Sequence, residues 1–275
     1  MNSILRRLPA FKGKFRLARL FLTKNRRKAK DIWIKGKYGC KYLLPNLIED
    51  VCVEIYINGI YEQSTSDFLT KTIPPGGVFL DLGANIGAIS TPLSRRRKDI
   101  TIVCVEASPR VFGYLEKNLA ENGLTDISKV NRALYYTDND ELDFFSPDEQ
   151  FGKGSLSPVF TKESQKVATI KLDTLVAKLP IQKVDMIKID IEGYEYHVFK
   201  GAGALLSGEE APDILFEFVD WAEQQAKDIS VGDAQRILRS YGYRIFYFEE
   251  NKKTMDEVNG VIDKGFNMLY ATKKP

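Results

Sequence analysis

From Val78 onward the chain repeats one pattern: a short apolar run of strand length, a turn, then a segment whose apolar residues fall three and four apart. Val78 to Leu82, Ile100 to Val105, Ile127 to Val130, Val184 to Ile189 and Ile214 to Phe218 read as buried strands. Ile86 to Arg96, Ser108 to Asn122, Asp173 to Pro180, Tyr194 to Leu206, Trp221 to Lys227 and Asp233 to Tyr241 read as the helices between them. Strands alternating with helices predict an α/β fold with a mostly parallel sheet and helices on both faces. Tyr243 to Phe248 and Met268 to Ala271 bring the sheet to about seven strands, the last antiparallel.

Three stretches depart from the pattern. Glu49 to Tyr61 alternates, with Val51, Val53, Ile55 and Ile57 on one side, which predicts a hairpin or an added layer. Lys30 to Asn46 is mixed and turn-rich and reads as a link into the domain. Tyr135 to Lys171 reads as an insertion, with a hairpin through Leu142 to Phe145 and Val167 to Leu172. Its glycine-rich loop, Phe151 to Leu156, is either a lid or a surface connection. The division this suggests is a leader and linker over 1–48 and one domain over 49–275; 275 residues at 44% hydrophobic content can bury one sizeable core.

Charge separates the leader from the rest. The net +3 hides 11 Lys and Arg and no acids in residues 1–30, leaving 29 bases against 37 acids beyond. Ile4, Leu8, Phe11, Phe15, Ala18 and Leu22 would line one side of a basic helix, although Pro9 and Gly13 weaken it. Two readings stay open: peripheral contact with an anionic membrane, or packing on the domain or a partner. Nucleic acid is not expected, because no recognition motif accompanies the charge. No apolar run approaches a membrane span or a secretory signal, so a cytoplasmic protein is expected, at the inner membrane face if the leader binds lipid. Cys40, Cys52 and Cys104 are odd in number and lack metal-ligand spacing, which predicts free thiols.

The chemistry concentrates where strands end. Val78-Phe79-Leu80-Asp81-Leu82 runs into Gly83-Ala84-Asn85-Ile86-Gly87, a strand turning tightly into a helix, the corner at which nucleotides bind. The middle glycine of a dinucleotide fingerprint is Asn85 here, which crowds a pyrophosphate and argues against a nicotinamide oxidoreductase. A carboxylate at Asp81 would attract an ammonium group, although a strand-end Asp also caps turns. Glu106 ends the next strand about twenty residues on, placed to accept both hydroxyls of a ribose. On the fourth strand Lys188, Asp190 and Glu192 alternate with Ile187, Ile189 and Ile191. A lysine inside a strand needs a partner, and Asp81 and Asp190 are the nearest acids. His197, the only histidine, sits inside a helix and reads as a packed residue rather than a base.

Asp81 to Gly87, Val105-Glu106-Ala107-Ser108-Pro109 and Asp185-Met186-Ile187-Lys188-Ile189-Asp190-Ile191-Glu192-Gly193-Tyr194-Glu195, in that order, closely resemble the FkbM family of S-adenosylmethionine-dependent methyltransferases. The similarity runs from about Gly59 to Lys273 and leaves out the first fifty or so residues. It implies a class I methyltransferase Rossmann-like fold and O-methylation of a hydroxyl, on a sugar of a glycan or on a natural product. It assigns S-adenosylmethionine to Asp81, Gly83, Ala84, Asn85, Gly87, Glu106, Ala107, Asn131, Ala133 and Asp190. Gly59-Ile60-Tyr61-Glu62 resembles the family's approach to the cofactor, which would put Tyr61 and Glu62 in the pocket wall. Asp190 is expected nearest the acceptor hydroxyl, Glu192 as a positioning group or alternative base, and Lys188 beside them. The opposing reading makes these acids a Lys188 ion-pair network that only shapes the pocket. Two carboxylates can hold a divalent cation, but alone they are a weak metal signal. A non-catalytic module that kept the fold would be expected to lose Asp81, Gly83 or Glu106, and all three are present.

Overall fold

The computed structural model describes residues 30–248 and 255–274; the basic amphipathic leader lies outside them. The elements follow the expected alternation. Strand β3 (Val78–Leu82) is followed by α3 (Ser90–Arg96), β4 (Thr101–Val105), α4 (Pro109–Glu121) and β5 (Ser128–Val130). After the insertion come α5 (Leu172–Lys178), β9 (Met186–Ile189), α6 (Glu195–Lys200), α7 (Gly203–Ser207) and β10 (Asp213–Val219). Helices α8 (Asp220–Gln225) and α9 (Asp233–Ser240) and strands β11 (Arg244–Tyr247) and β12 (Phe266–Thr272) complete the domain. The sheet has seven strands in the order β11-β12-β10-β9-β3-β4-β5. Neighbours from β10 to β5 are parallel, while β12 is antiparallel to both β10 and β11. This is the α/β architecture expected of a class I methyltransferase.

Strand periodicity divides the core between the two faces. Leu80, Leu82, Ile187, Ile189, Ile214 and Phe216 enter one apolar cluster, and Phe79, Ile102, Cys104 and Met186 enter another. Asp81, Lys188 and Glu217 share the Phe79 face on three adjacent strands, with Asp81 paired in register to Lys188. A polar stripe therefore crosses the middle of the sheet. All three cysteines are free and buried.

The segment before β3 differs from its sequence reading. Glu49 to Tyr61 is not a hairpin but contains helix α1 (Asp50–Asn58), whose N-cap Glu49 accepts from the Asp50 amide. Asp50, Glu54 and Asn58 are its residues that reach solvent, a four-residue spacing that marks a helix. The strand-like alternation was a subset of a segment apolar nearly all round, which cannot choose between the two periods. Helix α2 (Gln63–Thr72) follows.

The hairpin lies earlier, in residues read as a link. Strands β1 (Ile32–Lys35) and β2 (Lys41–Leu44) pair antiparallel, and Tyr42, Leu44 and Leu47 are buried against α1. The 48/49 boundary thus marks no break in packing. Two asparagines one turn apart on α4 hold the edge of β2: Asn118 accepts from the Leu43 amide at 2.6 Å and donates to Ile86 O at 2.9 Å, and Asn122 accepts from the Lys41 amide at 2.9 Å and donates to Lys41 O at 2.7 Å. Asn118→Ala leaves the buried Leu43 amide and Ile86 carbonyl without partners. A loss of about 1–3 kcal/mol in urea unfolding is expected, with unchanged stability as the contrary result.

Two helices are shorter than expected. The one predicted from Ile86 starts at Ser90, because Asn85 (φ 52°) and Gly87 (φ 80°) occupy the left-handed region and hold 83–89 as a turn. The one predicted over Tyr194 to Leu206 breaks into α6 and α7 at Gly201, where a Cβ would lie 2.5 Å from Tyr135 O.

Candidate active site

A cleft opens at the C-terminal ends of β3, β4 and β9, where ligands bind in open α/β sheets. Its floor is made where β3 and β9 touch: the Asp190 amide donates to Leu82 O at 3.1 Å, and a Cβ on Gly83 (φ +83°) would lie 2.0 Å from Asp190 O. Only glycine fits that approach. The Gly83 and Ala84 amides both donate to Val105 O at 2.9 Å, which turns the chain toward β4.

Glu106 stands at the end of β4 in the cleft wall, accepting from the Asn85 amide at 3.0 Å and the Ser108 amide at 2.8 Å. Burial pushes its carboxyl up to about 7 against the pull of those amides. Ala107 and Ala133 line the same wall.

The roof comes from the insertion, whose strands β6 (Ala133–Leu134), β7 (Glu141–Phe145) and β8 (Ser164–Ile170) form a small sheet in the order β6-β8-β7. Phe144, Phe151, Gly152, Gly154 and Leu156 face the cleft, so the glycine-rich loop covers the site. It is anchored by the residues before β3: Glu49 accepts from the Gly152 amide at 3.0 Å, and Asn46 donates to Glu149 O at 3.1 Å.

Several expected residues stand behind the wall. Asp81 is 1% exposed and accepts from the Ser90 hydroxyl, so its carboxylate is committed inside the protein. Ala84 packs in the apolar cluster, and a Cβ on Gly87 would meet Leu115 at 3.0 Å. Asn131 donates to Glu106 O at 2.7 Å and Ala107 O at 3.1 Å, fixing the wall without facing the cleft. Tyr61 and Glu62 also lie outside it; Glu62 borders a separate groove with Thr65, Tyr247 and Met268. Lys188 is 2% exposed and reaches Asp190 at 2.9 Å, so it touches the site only through that carboxylate. His197 is buried and stacked on Tyr135, with burial lowering it to about 4.

The sequence reading omitted Arg132, Leu134, Phe144 and Tyr194, all in the cleft wall. Phe144 carried no signal beyond its place in a hairpin, whereas Tyr194 lies within the quoted fourth-strand motif.

With this geometry in place, residues 81–245 match the family model described as the methyltransferase FkbM domain, more than half of the chain. The chain belongs to the FkbM methyltransferase family. It is 23% identical over 206 residues to the 31-O-demethyl-FK506 methyltransferase FkbM of Streptomyces tacrolimicus, covering 62% of this chain and 74% of that protein. It is 26% identical over 140 residues to the hexuronic acid methyltransferase AglP of Haloferax volcanii, covering 51% and 56% of the two chains. Among solved structures, the precorrin-6y C5,15-methyltransferase of Geobacter metallireducens superposes with a TM-score of 0.44 at 14% identity, covering 78% of this chain and 92% of that one.

The remaining electrostatics of this FkbM-family methyltransferase come from acids crowded around one base. Burial alone lowers Lys188, but the carboxylates of Asp190, Glu62 and Asp81 outweigh it and hold the ammonium above its ordinary value. Burial, then the charge of Asp190, pushes Glu192 up to about 8 and raises Glu217 well above the carboxylate range. Glu195, also pushed up to about 8 by burial, accepts from the Ile191 amide at 3.1 Å and fixes the turn that carries Glu192. Among the described residues no group of three or more His, Cys, Asp and Glu is placed to hold a metal, and no helix is long and apolar enough to cross a membrane.

Proposed function

We propose that this methyltransferase uses S-adenosylmethionine to methylate a hydroxyl of a sugar in a glycan or glycoconjugate precursor. The observation that carries the reading is the donor set of the cleft. Glu106, Asp190 and Glu192 face it against one base, Arg132, beside the apolar walls of Leu134, Phe144 and Leu156. That set suits a cationic ligand with an aromatic ring and a diol, and opposes a pyrophosphate. The hexuronic acid specificity in the name of the Haloferax relative supports a sugar acceptor. The FK506 methyltransferase keeps a macrocyclic natural product as the second reading.

When bound, S-adenosylmethionine supplies an electrophilic methyl group on a sulfonium. The chain's residues do the rest. Glu106 takes the ribose hydroxyls, and the Phe144 and Leu156 side chains shield the ring from water. Glu192 takes the proton of the acceptor hydroxyl as its oxygen attacks in line. Asp190, held by Lys188 at 2.9 Å, orients the acceptor.

Incubating the purified full chain with methyl-labelled S-adenosylmethionine and a panel of sugar nucleotides, lipid-linked glycans and macrocyclic polyketides tests the reading. Label is expected in a sugar. Transfer to the macrocycles alone selects the second reading, and thermal stabilisation by NADH but not by S-adenosylmethionine rejects both.

Cofactor affinity is expected to rise with pH. The ribose hydroxyls need Glu106 as carboxylate, which is populated above its value of about 7. Below that value the dissociation constant should fall by up to about tenfold per pH unit, and then level off. Calorimetric titration from pH 6 to 8 checks this, with Glu106→Gln expected to flatten the curve. The same slope in both proteins would remove Glu106 from the ribose.

A further inference from the structure

Phe160 and Trp221 are large apolar side chains left 41% and 42% exposed, and they touch each other. Their rings meet edge to face, with centroids 5.4 Å apart and planes at 85°. The contact joins remote parts of the chain: Trp221 is in the first turn of α8, and Phe160 follows the glycine-rich loop.

Neighbours of the pair are tied to residues of the cleft. The Ser157 hydroxyl donates to Gln225 O at 2.6 Å and accepts from the Tyr194 hydroxyl at 2.8 Å, tying the loop to α8. The Ser155 hydroxyl donates to Glu192 O at 3.2 Å. Ala222, next to Trp221, abuts the backbone beside Glu192, since a Cβ on Gly193 would lie 2.5 Å from the Ala222 carbonyl carbon. The Lys153 ammonium lies 5.0 Å from the Phe160 ring centroid, and Gly152 and Gly154 on either side line the cleft. Lys153 has no ion pair among the described residues.

An exposed aromatic corner beside the candidate cleft, with a lysine that makes no ion pair among the described residues and whose charge is felt at Glu192, suits a ring with an apolar face and a negative charge. We propose that Phe160, Trp221 and Lys153 form an acceptor subsite for a sugar ring bearing an anionic substituent, a carboxylate or a phosphate. The C–H face of the sugar lies on the aromatic corner, and the anion meets Lys153. This leaves the neighbouring hydroxyls toward Glu192. The proposal rests on the reading of the acceptor as a sugar.

Saturation-transfer NMR on the full chain, with glucuronate, glucose 1-phosphate and glucose as probes, tests it. The anionic sugars are expected to bind better than glucose, with the strongest transfer to the protons of one ring face. Trp221→Ala and Phe160→Ala should each weaken binding by about fivefold to tenfold, and Trp221→Tyr should restore most of it. Lys153→Gln should abolish the preference for the anionic sugars. Glucuronate alone would identify the carboxylate, and glucose 1-phosphate alone the phosphate. Absence of transfer to all three probes, or binding unchanged in both alanine variants, would overturn the subsite. Cofactor calorimetry on the unsubstituted chain separates the two proposals: no binding of S-adenosylmethionine with intact sugar binding counts against the proposed reaction alone, and intact methyl transfer with an unmoved acceptor KM in Trp221→Ala counts against the subsite alone.

Discussion

Glu192→Gln is expected to lower kcat by about 10²–10⁴-fold, the usual contribution of a positioned general base, while cofactor affinity changes little. In the native enzyme Glu192 is protonated below about 8, because burial and then the Asp190 charge disfavour its ionised form. Only the ionised form accepts the hydroxyl proton. The rate should therefore climb about tenfold per pH unit up to that value and flatten above it. In the glutamine variant the residual rate should lose this limb. A variant that keeps both the rate and the limb would return the role to Asp190, the residue that the sequence places nearest the acceptor. The backbone supports the assignment: Glu192 is a non-glycine residue at φ 56°, next to Gly193 at φ 94°. Left-handed backbone at such a residue costs about 1–3 kcal/mol and collects at functional sites. The turn leaves Glu192 in the lining of the cleft.

Lys188→Met should destabilise the protein by about 3–5 kcal/mol near neutral pH, the effect of removing one partner from a buried ion pair. The ammonium is the charge that balances Asp81 and Asp190 inside the sheet, with Asp190 at 2.9 Å and Asp81 opposite in register. The sign with pH follows from the acids left behind. Burial already raises Asp81 and Glu217, so on acidification they take up protons and shed the unbalanced charge. The deficit should thus be largest at high pH and shrink as pH falls, measured by denaturant unfolding of both proteins across pH 5 to 9. A deficit that is constant with pH would mean that the lysine contributes packing rather than charge. Because Lys188 is behind the wall, its loss should also slow methyl transfer by releasing Asp190, without a matching fall in cofactor affinity.

The strand-and-helix alternation, the corner at Asp81 to Gly87 and the acid at Glu106 could be read from the sequence because each is a local rule. An apolar run of strand length, a glycine where the backbone must turn left-handed and a cap such as Ser108 before Pro109 all act within a few residues. Family resemblance added the cofactor and the reaction class from three short motifs. Residues 50–58 defeated the same approach, since a segment apolar on nearly every side satisfies both periods, and packing against β2 and α4 chose the helix.

The division of labour among the acids was not local at all. Asp81, Asp190 and Glu217 have the same chemistry on paper, and burial, register and one lysine separate them. Asp81 became a buried partner of Ser90, Asp190 a tethered carboxylate and Glu192 a titratable group at the cleft. The roof of Phe144, Phe151 and Leu156, and the corner of Phe160 and Trp221, exist because loops far apart in sequence are sewn together by Glu49, Ser155 and Ser157. Desolvation and side-chain hydrogen bonding across such distances depend on where the chain returns to itself, which no spacing within a motif encodes.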